Sequence, residues 1–521
     1  MTELYCLLSA IPIIAFIFSM SFLKKSIGVA ALISFILAFL IGRCILGASL
    51  SMLFSGCLEG LWNTFIIMVV VFSALLLYEL LEKSKMLSAL SQWVGSHIED
   101  KVDQILMIGW VFTSFLQGVT GFGVPVAVAA PILTGLGVEP RKAVIICILG
   151  HAWGGTFGTL GIAWNSMLLQ LPDGHDVYMG QTILYTCILL GIYNFICGLL
   201  ICALYKGKKI KARELMAVAL ISSVQSMGQL LFALFFNESL ACFLASAASM
   251  AVLYVWDRSL CRGRTPVSGK RGSGRNGSSH SNAGSVPVVD MGFPFFILSA
   301  IVFLLVMPTK FSAALEGCRV GMPVPDPGGG WTLYGAVSVF THSGTILLTA
   351  VAVSFWFYRR KKYLCREDTG KMLRNAGRKT VNAVWPVLFL VMMSRIMSGS
   401  GQIGFLASGI GELFGGWVGF ASPFIGILGS FISSSNMASN ILFTELQLRL
   451  SQMQGLNAAA ILAAQTAGGS VGNLVAAGNI VLGLSIVGKG GEELKVMRFM
   501  APVCIAIGAV CGFITLLVCQ T

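Results

Sequence analysis

The sequence predicts an all-α polytopic membrane protein. It reads as about 12 transmembrane helices in two inverted repeats, each with a broken, re-entrant hairpin near the bilayer midplane. Three observations carry this. The chain is 56% hydrophobic and only 11% charged over 521 residues, with a mean hydropathy of +0.84, which is too few charges for a soluble domain of this length. Many apolar runs reach the ~20 residues needed to cross a hydrocarbon core. The basic residues fall in alternate connections between those runs, as the positive-inside rule requires. The formal net charge of +13 therefore reports orientation in a lipid bilayer. No basic surface interleaved with aromatic residues accompanies it, so no nucleic-acid partner is expected.

In chain order, crossings are expected at 4–23, 27–46, 61–81, 143–166, 181–205, 215–236, 240–256, 292–308, 334–357, 381–398, 456–486 and 498–518. The first run is retained rather than cleaved, because its positive charges, Lys24 and Lys25, follow the apolar stretch instead of preceding it. Lys83, Lys85 and Lys101, "KGKKIKAR" (206–213), "RRKK" (359–362) through Lys379, and Lys489, Lys495 and Arg498 then share the cytoplasmic side. "DGHD" (173–176), "NES" (237–239) and the 309–332 loop face outside, as do both termini. Residues 257–291 are rich in Gly, Ser and Arg and read as a flexible basic cytoplasmic linker. It separates a first repeat, 1–256, from a second, 292–521. The 14 cysteines form no CxxC pair and read as small apolar side chains.

Two apolar stretches remain, 105–142 and 402–455, and both are interrupted near the middle. Backbone in the bilayer core must be hydrogen-bonded, so irregular chain survives there only when buried in protein or lining an aqueous cavity. "GVTGFGVP" (118–125) is such an interruption. "FISSSNMASNILF" (431–443) is the second, with six Ser and Asn side chains close together. The first stretch enters from the cytoplasmic side, flanked by Lys101, Arg141 and Lys142, and the second from outside. An offset of 314 residues carries "GGTFG" (154–158) onto "GGSVG" (468–472) and "TGFGVPVA" (120–127) onto "SSNMASNI" (434–441). Opposed polarity and a shared offset together indicate an inverted repeat.

Two midplane breaks make a site for a polar solute, because helix N-termini offer N–H groups to anions and C-termini offer carbonyls to cations. The candidate substrate contacts are Gln117, Thr120, Gly121 and Gly123 in the first break. In the second they are Ser433, Ser434, Ser435, Asn436, Ser439 and Asn440, with Thr466 and Asn473 beside the glycine pair. Ser and Asn also glue membrane helices together, and glycine pairs also serve packing. His151 either relays a proton or hydrogen-bonds a carboxylate, or it is a neutral structural histidine. Arg395 either pairs with a substrate carboxylate or snorkels to the interface. Glu79 and Glu82 read as solvated charges at a cytoplasmic helix end. Glu445 and Arg449 read as a local i,i+4 pair. With five histidines, no HExxH, no acidic cluster and no Walker A motif, neither an enzyme, a metal site nor an ATP-driven pump is expected. No cofactor is expected either.

"LQGVTGFGVPVAVAAPILTGLG" (116–137), "FASPFIGILGSFISSSNMASNILF" (420–443) and "LAAQTAGGSVGNLVAAGNIVLGLSIVGKGGE" (462–492) together resemble the L-lactate permease family, within a broader ion-transporter superfamily. The resemblance implies a secondary transporter of the bacterial inner membrane. Such a carrier takes up L-lactate and related 2-hydroxymonocarboxylates, such as D-lactate and glycolate, by proton symport. The alternative is the same architecture carrying another small organic anion, such as a dicarboxylate, or coupled to sodium. Where the family usually has Glu, Asp and Lys, this chain has Gln117, Asn436 and Asn473, which keep hydrogen bonds but carry no charge. The resemblance therefore transfers the site by position and leaves the coupling residues open.

Overall fold

The computed structural model describes residues 2–520 apart from 122, 173–175, 208–209, 262–285, 307–314, 316 and 326–329. Among the described residues, 12 helices are long and apolar enough to cross a membrane, or 13 if the bent pair Pro140–Gly155 and Gly158–Leu168 is one span. The chain is a multi-pass, all-α membrane protein.

The first half begins with α1 (Thr2–Ser21) and α2 (Ile27–Leu40). A 34-residue helix follows, α3 (Leu50–Lys83), begun by a Ser49 side chain that accepts from the Met52 N–H. A short amphipathic helix α4 (Met86–Ser96) leads to α5 (Lys101–Val119), whose N-cap Asp100 accepts from Val102 and Asp103. The chain turns over residues 120–123 and returns as α6 (Val124–Gly135). Gly109 of α5 lies against Leu133 of α6, so α5 and α6 form a helical hairpin. Next come α7 (Pro140–Ala152) and α8 (Gly158–Leu168), bent by 45° at their junction. The half closes with α9 (Asp176–Lys206), α10 (Ala212–Phe235) and α11 (Glu238–Cys261).

In the second half, α12 (Val288–Val306) precedes a two-stranded antiparallel hairpin, β1 (Arg319–Pro325) and β2 (Trp331–Ser338). Then follow α13 (Ser343–Arg360), the 34-residue α14 (Arg366–Gly399), the short α15 (Gln402–Phe414), a hairpin of α16 (Val418–Ser433) and α17 (Asn436–Met453), a broken helix of α18 (Ala458–Gly472) and α19 (Ala477–Ile486), and α20 (Glu493–Val518). The order long helix, short amphipathic helix, hairpin, broken helix, long helix occurs twice. An offset of 316 residues carries Leu50 to Arg366 and Lys83 to Gly399, the two ends of α3 and α14.

These two equivalent helices lie side by side and antiparallel. Gly56 faces Ile396, Gly60 meets the Met392 backbone and, nearer the other ends, Glu79 meets Lys379. A Cβ on Gly60 would stand 2.8 Å from Met392 Cα, so glycine is what lets the axes approach. The first hairpin is pinned from behind by indoles. Buried Trp110 donates to Asn194 of α9 at 2.8 Å, and Trp153 to Ser114 at 2.8 Å.

Three expectations need correction. The crossing at 334–357 is strand up to Ser338 and helix only from Ser343; "WTLYGAVS" alternates side chains across a strand pair that Trp62 anchors through Gly335 O at 2.9 Å. α3 and α14 start earlier than expected, at Leu50 and Arg366: α14 through a polar first turn, and α3 through an apolar stretch that Ser55 and Glu59 interrupt. The 257–291 linker lies outside the described residues over 262–285, as does 173–175 of the "DGHD" loop. At the linker's edges α11 runs to Cys261 and α12 begins at Val288. Asp257 is buried there and accepts the Glu99 N–H at 2.9 Å.

Candidate functional site

Four interruptions meet in the middle of the molecule. In the first hairpin the turn uses Gly121 (φ +55°) and Gly123 (φ +79°), left-handed conformations that favour glycine. A Cβ on Gly121 would lie 2.0 Å from Thr159 Oγ1. Pro125 in the first turn of α6 fits because its missing N–H has no helical acceptor there. In the second hairpin Ser434 takes the left-handed conformation (φ +54°), and Ser435 caps α17. Ser434 Oγ accepts the Gly478 N–H at 3.2 Å, tying this tip to α19. The broken helices contribute the other two. Thr159, Leu160 and Gly161 all have positive φ, and α18 ends in a tight turn over Asn473–Val475. The 314-residue offset places these last two on each other, and likewise the two hairpin tips.

The halves are joined where the breaks touch. Thr156 Oγ1 lies 2.9 Å from Ser470 Oγ, 3.2 Å from Thr466 Oγ1 and 3.1 Å from Thr466 O. Asn436 Nδ2 donates to Thr156 Oγ1, Thr466 O and Ser470 Oγ at 3.2–3.3 Å. Asn440 Nδ2 donates to Ala163 O at 2.9 Å and Thr466 Oγ1 at 3.0 Å. Asn436 Oδ1, Asn440 Oδ1 and Ser430 Oγ are buried with no hydrogen-bond partner among the described residues. The glycine pairs serve packing: a Cβ on Gly468 would sit 2.1 Å from Pro423 O, and one on Gly155 2.8 Å from Asn473 Nδ2.

In front of this layer lies a cavity of about 440 Å³. Both hairpin tips and both broken helices contribute to its wall, and α14 closes the remaining side. The N-termini of α6 and α17 open onto it through Gly123 and Ser435, ends that favour anions, and the C-terminal ends of α16 and α18 reach it through Ser433 and Asn473, ends that favour cations.

The family comparison agrees with the geometry. A family model described as L-lactate permease matches residues 5–322 and 332–520. The chain belongs to the L-lactate permease family. It is a permease, not an enzyme. It is 26% identical to the L-lactate permease of Halalkalibacterium halodurans, over 94% of this chain and 92% of that one. With the L-lactate permease of Escherichia coli K12 it shares 26% identity over 98% and 95% of the two chains. With the glycolate permease GlcA of the same organism it shares 25% over 99% and 95%.

Of the residues named from sequence, Gln117, Gly123, His151, Ser433, Ser434, Ser435, Asn436 and Asn473 line the cavity of this permease. Thr120, Gly121, Ser439, Asn440 and Thr466 stand behind the wall. Thr120 Oγ1 donates to Leu116 O, and Ser439 Oγ to Gly426 O. His151 Nδ1 lies 2.6 Å from Cys147 O. A carbonyl only accepts, so Nδ1 carries the hydrogen and Nε2 is the ring's remaining polar atom.

Arg395 does not line the cavity, and it does not snorkel. Its Nε meets Glu59 Oε2 at 2.7 Å, Nη1 is 4.0 Å from Glu445 Oε2, and its guanidinium covers the Tyr334 ring. The carboxylates of two other helices hold it, so the protein supplies what a substrate carboxylate would have supplied. Glu445 keeps its i,i+4 contact with Arg449, at 3.9 Å. Glu79 is not solvated but 1% exposed.

Sequence reading missed Thr159, Asn479, Asn382 and Lys379 on the cavity wall. For α14 a signal existed. Lys379, Asn382 and Pro386 recur at helical spacing and share one face, but placing the start of the crossing at 381 left Lys379 in a loop.

Proposed function

We propose that this permease takes up L-lactate and related 2-hydroxymonocarboxylates, D-lactate and glycolate among them, across the bacterial cytoplasmic membrane by symport with protons. The carrying observation is the cavity where both tips and both breaks meet, in a chain of the L-lactate permease family. Its wall suits a short hydroxy acid. Amides of Gln117, Asn436 and Asn473 and hydroxyls of Ser434 and Ser435 match a 2-hydroxyl, and the α6 and α17 N-termini match a carboxylate. The names of relatives, L-lactate permease and glycolate permease, point to the same substrate class.

The two halves are read as inverted repeats. Equivalent helices α3 and α14 run antiparallel, which a duplicated unit does only when one copy is turned over in the membrane. The positive-inside pattern then leaves both termini outside. Alternating access follows from exchanging the conformations of the two halves around the central site.

The test is uptake of labelled L-lactate into proteoliposomes under an imposed pH gradient and, separately, a sodium gradient. D-lactate, glycolate and a dicarboxylate serve as competitors. Saturable uptake driven by the pH gradient and competed by the two monocarboxylates is expected. Absence of uptake for every monocarboxylate overturns the reading. Uptake driven only by sodium overturns the proton assignment.

A further inference from the structure

Among the described residues lining the cavity, Lys379 is the one side chain that carries a permanent charge. It is not idle. Its Nζ lies 2.7 Å from Glu79 Oε1, and its ammonium stands over the Tyr78 ring at 4.8 Å. Asn375 Nδ2 donates to the other Glu79 oxygen at 2.9 Å. The two partners differ sharply in surroundings: the Glu79 side chain is 2% exposed, whereas that of Lys379 is 47% exposed. Glu79 is a buried acid paired with one cation, and that cation also lines the cavity.

We propose that Lys379 receives the substrate carboxylate and that Glu79 is its partner in the empty carrier, so that a proton on Glu79 and an anion on Lys379 arrive together. This rests on the transport reading given above. In the empty state Glu79 and Lys379 form a neutral pair. A carboxylate entering alone would make two anions compete for one ammonium inside a low-dielectric wall, which is costly. One proton bound to a Glu79 oxygen removes that excess. Glu79 becomes a neutral acid that can still accept from Asn375, Lys379 turns to the substrate, and the site is again neutral. Release on the far side reverses both steps. Each cycle then moves one proton with one anion, and no net charge crosses.

The charged groups nearest the pair along its own two helices are Lys83, one turn after Glu79, Glu82, which hydrogen-bonds Tyr78, and Arg374 and Arg378 on α14. On α3, Tyr78 lies under Lys379, and Glu82 is exposed to solvent. α4 brings no acid or base. α13 brings no acid, and its terminal Arg359 and Arg360 lie over the rings of Phe355 and Trp356. His151, the other titratable group on the wall, has its Nδ1 committed to Cys147 O.

The test compares wild type, Glu79→Gln, Lys379→Arg and the double variant Glu79→Gln/Lys379→Met in proteoliposomes. Two readouts are measured: accumulation of L-lactate driven by a pH gradient, and exchange of external for internal lactate as a function of pH. For Glu79→Gln, gradient-driven accumulation is lost while exchange persists with its pH dependence abolished. The double variant removes acid and cation together and so leaves no unpaired buried charge. Its half-saturation concentration rises at least ~10-fold, the loss of about 1.4 kcal/mol. Lys379→Arg retains part of the affinity. Accumulation by Glu79→Gln at the wild-type level overturns the proposal, as does a double variant with the wild-type half-saturation. A wild type that carries no monocarboxylate fails earlier and takes the transport reading with it. The two failures are therefore distinct.

Discussion

Asn436 is held by its amide nitrogen and unpaired at its oxygen, and that asymmetry decides what its loss should do. Three acceptors converge on Nδ2, while Oδ1 has none of the donors it needs among the described residues. Asn436→Ala is expected to raise the half-saturation for lactate about 5- to 30-fold, the equivalent of about 1–2 kcal/mol, in an uptake assay at unchanged expression. Normal transport by this variant would remove Asn436 from the site. Arg395 makes the opposite case. Arg395→Gln takes the cation from Glu59 and leaves Glu445 only Arg449 at 3.9 Å, and breaking a largely buried pair costs about 3 kcal/mol or more. A lower melting temperature in detergent and an unchanged half-saturation for lactate are expected. A variant with wild-type stability and weakened substrate binding would return Arg395 to the site. Sequence could name Arg395 but not its partner. Glu59 is 336 residues away, and no local pattern reports a contact made by folding. Glu79 was misread for the same reason.

At the scale of elements, the second hairpin tip stores strain in Ser434. A non-glycine residue at φ +54° costs about 1 kcal/mol or more, and its hydroxyl returns part of that by accepting the Gly478 N–H. Ser434→Ala keeps the strain and loses the bond. Ser434→Gly loses the bond and relieves the strain. Thermal unfolding should therefore place the alanine variant below the glycine variant, by about 1 kcal/mol; the reverse order would show that relief of the left-handed backbone does not govern this turn. Both tips were legible in sequence. Gly121, Gly123 and Pro125 cannot continue a helix, and consecutive Ser and Asn offer caps instead. Strands β1 and β2 were not legible, because "TLYGAVSVF" is as apolar as a span and its strand character comes from pairing with a segment on the other side of a loop.

Taken whole, the molecule shows the same order of elements twice, and the two halves meet face to face. The contact runs from Gly60 against Met392 through Thr156 against Ser470 to the Lys379 pair. Residues 1–261 and 286–521 expressed as separate chains should therefore copurify through a tag on either one and recover gradient-driven lactate uptake. Halves that purify apart would show that the covalent connection is required for assembly. The recurrence of the breaks was readable as a 314-residue offset because each break needs special residues. The antiparallel meeting of α3 and α14 was not, since their Gly and Met contacts are common helix composition. The two tips have also diverged in kind. The first, with Gly121 against Thr159 and Gly123 at positive φ, presents bare backbone. The second presents the side chains of Ser434, Ser435 and Asn436. Mutational tolerance should divide accordingly. In a selection for growth on the transported acid, Gly121 would admit almost no replacement, whereas Ser435 and Asn436 would admit isosteres that preserve a donor or an acceptor. The repeated pattern thus survives in the backbone, while the two tips offer the cavity different chemical groups.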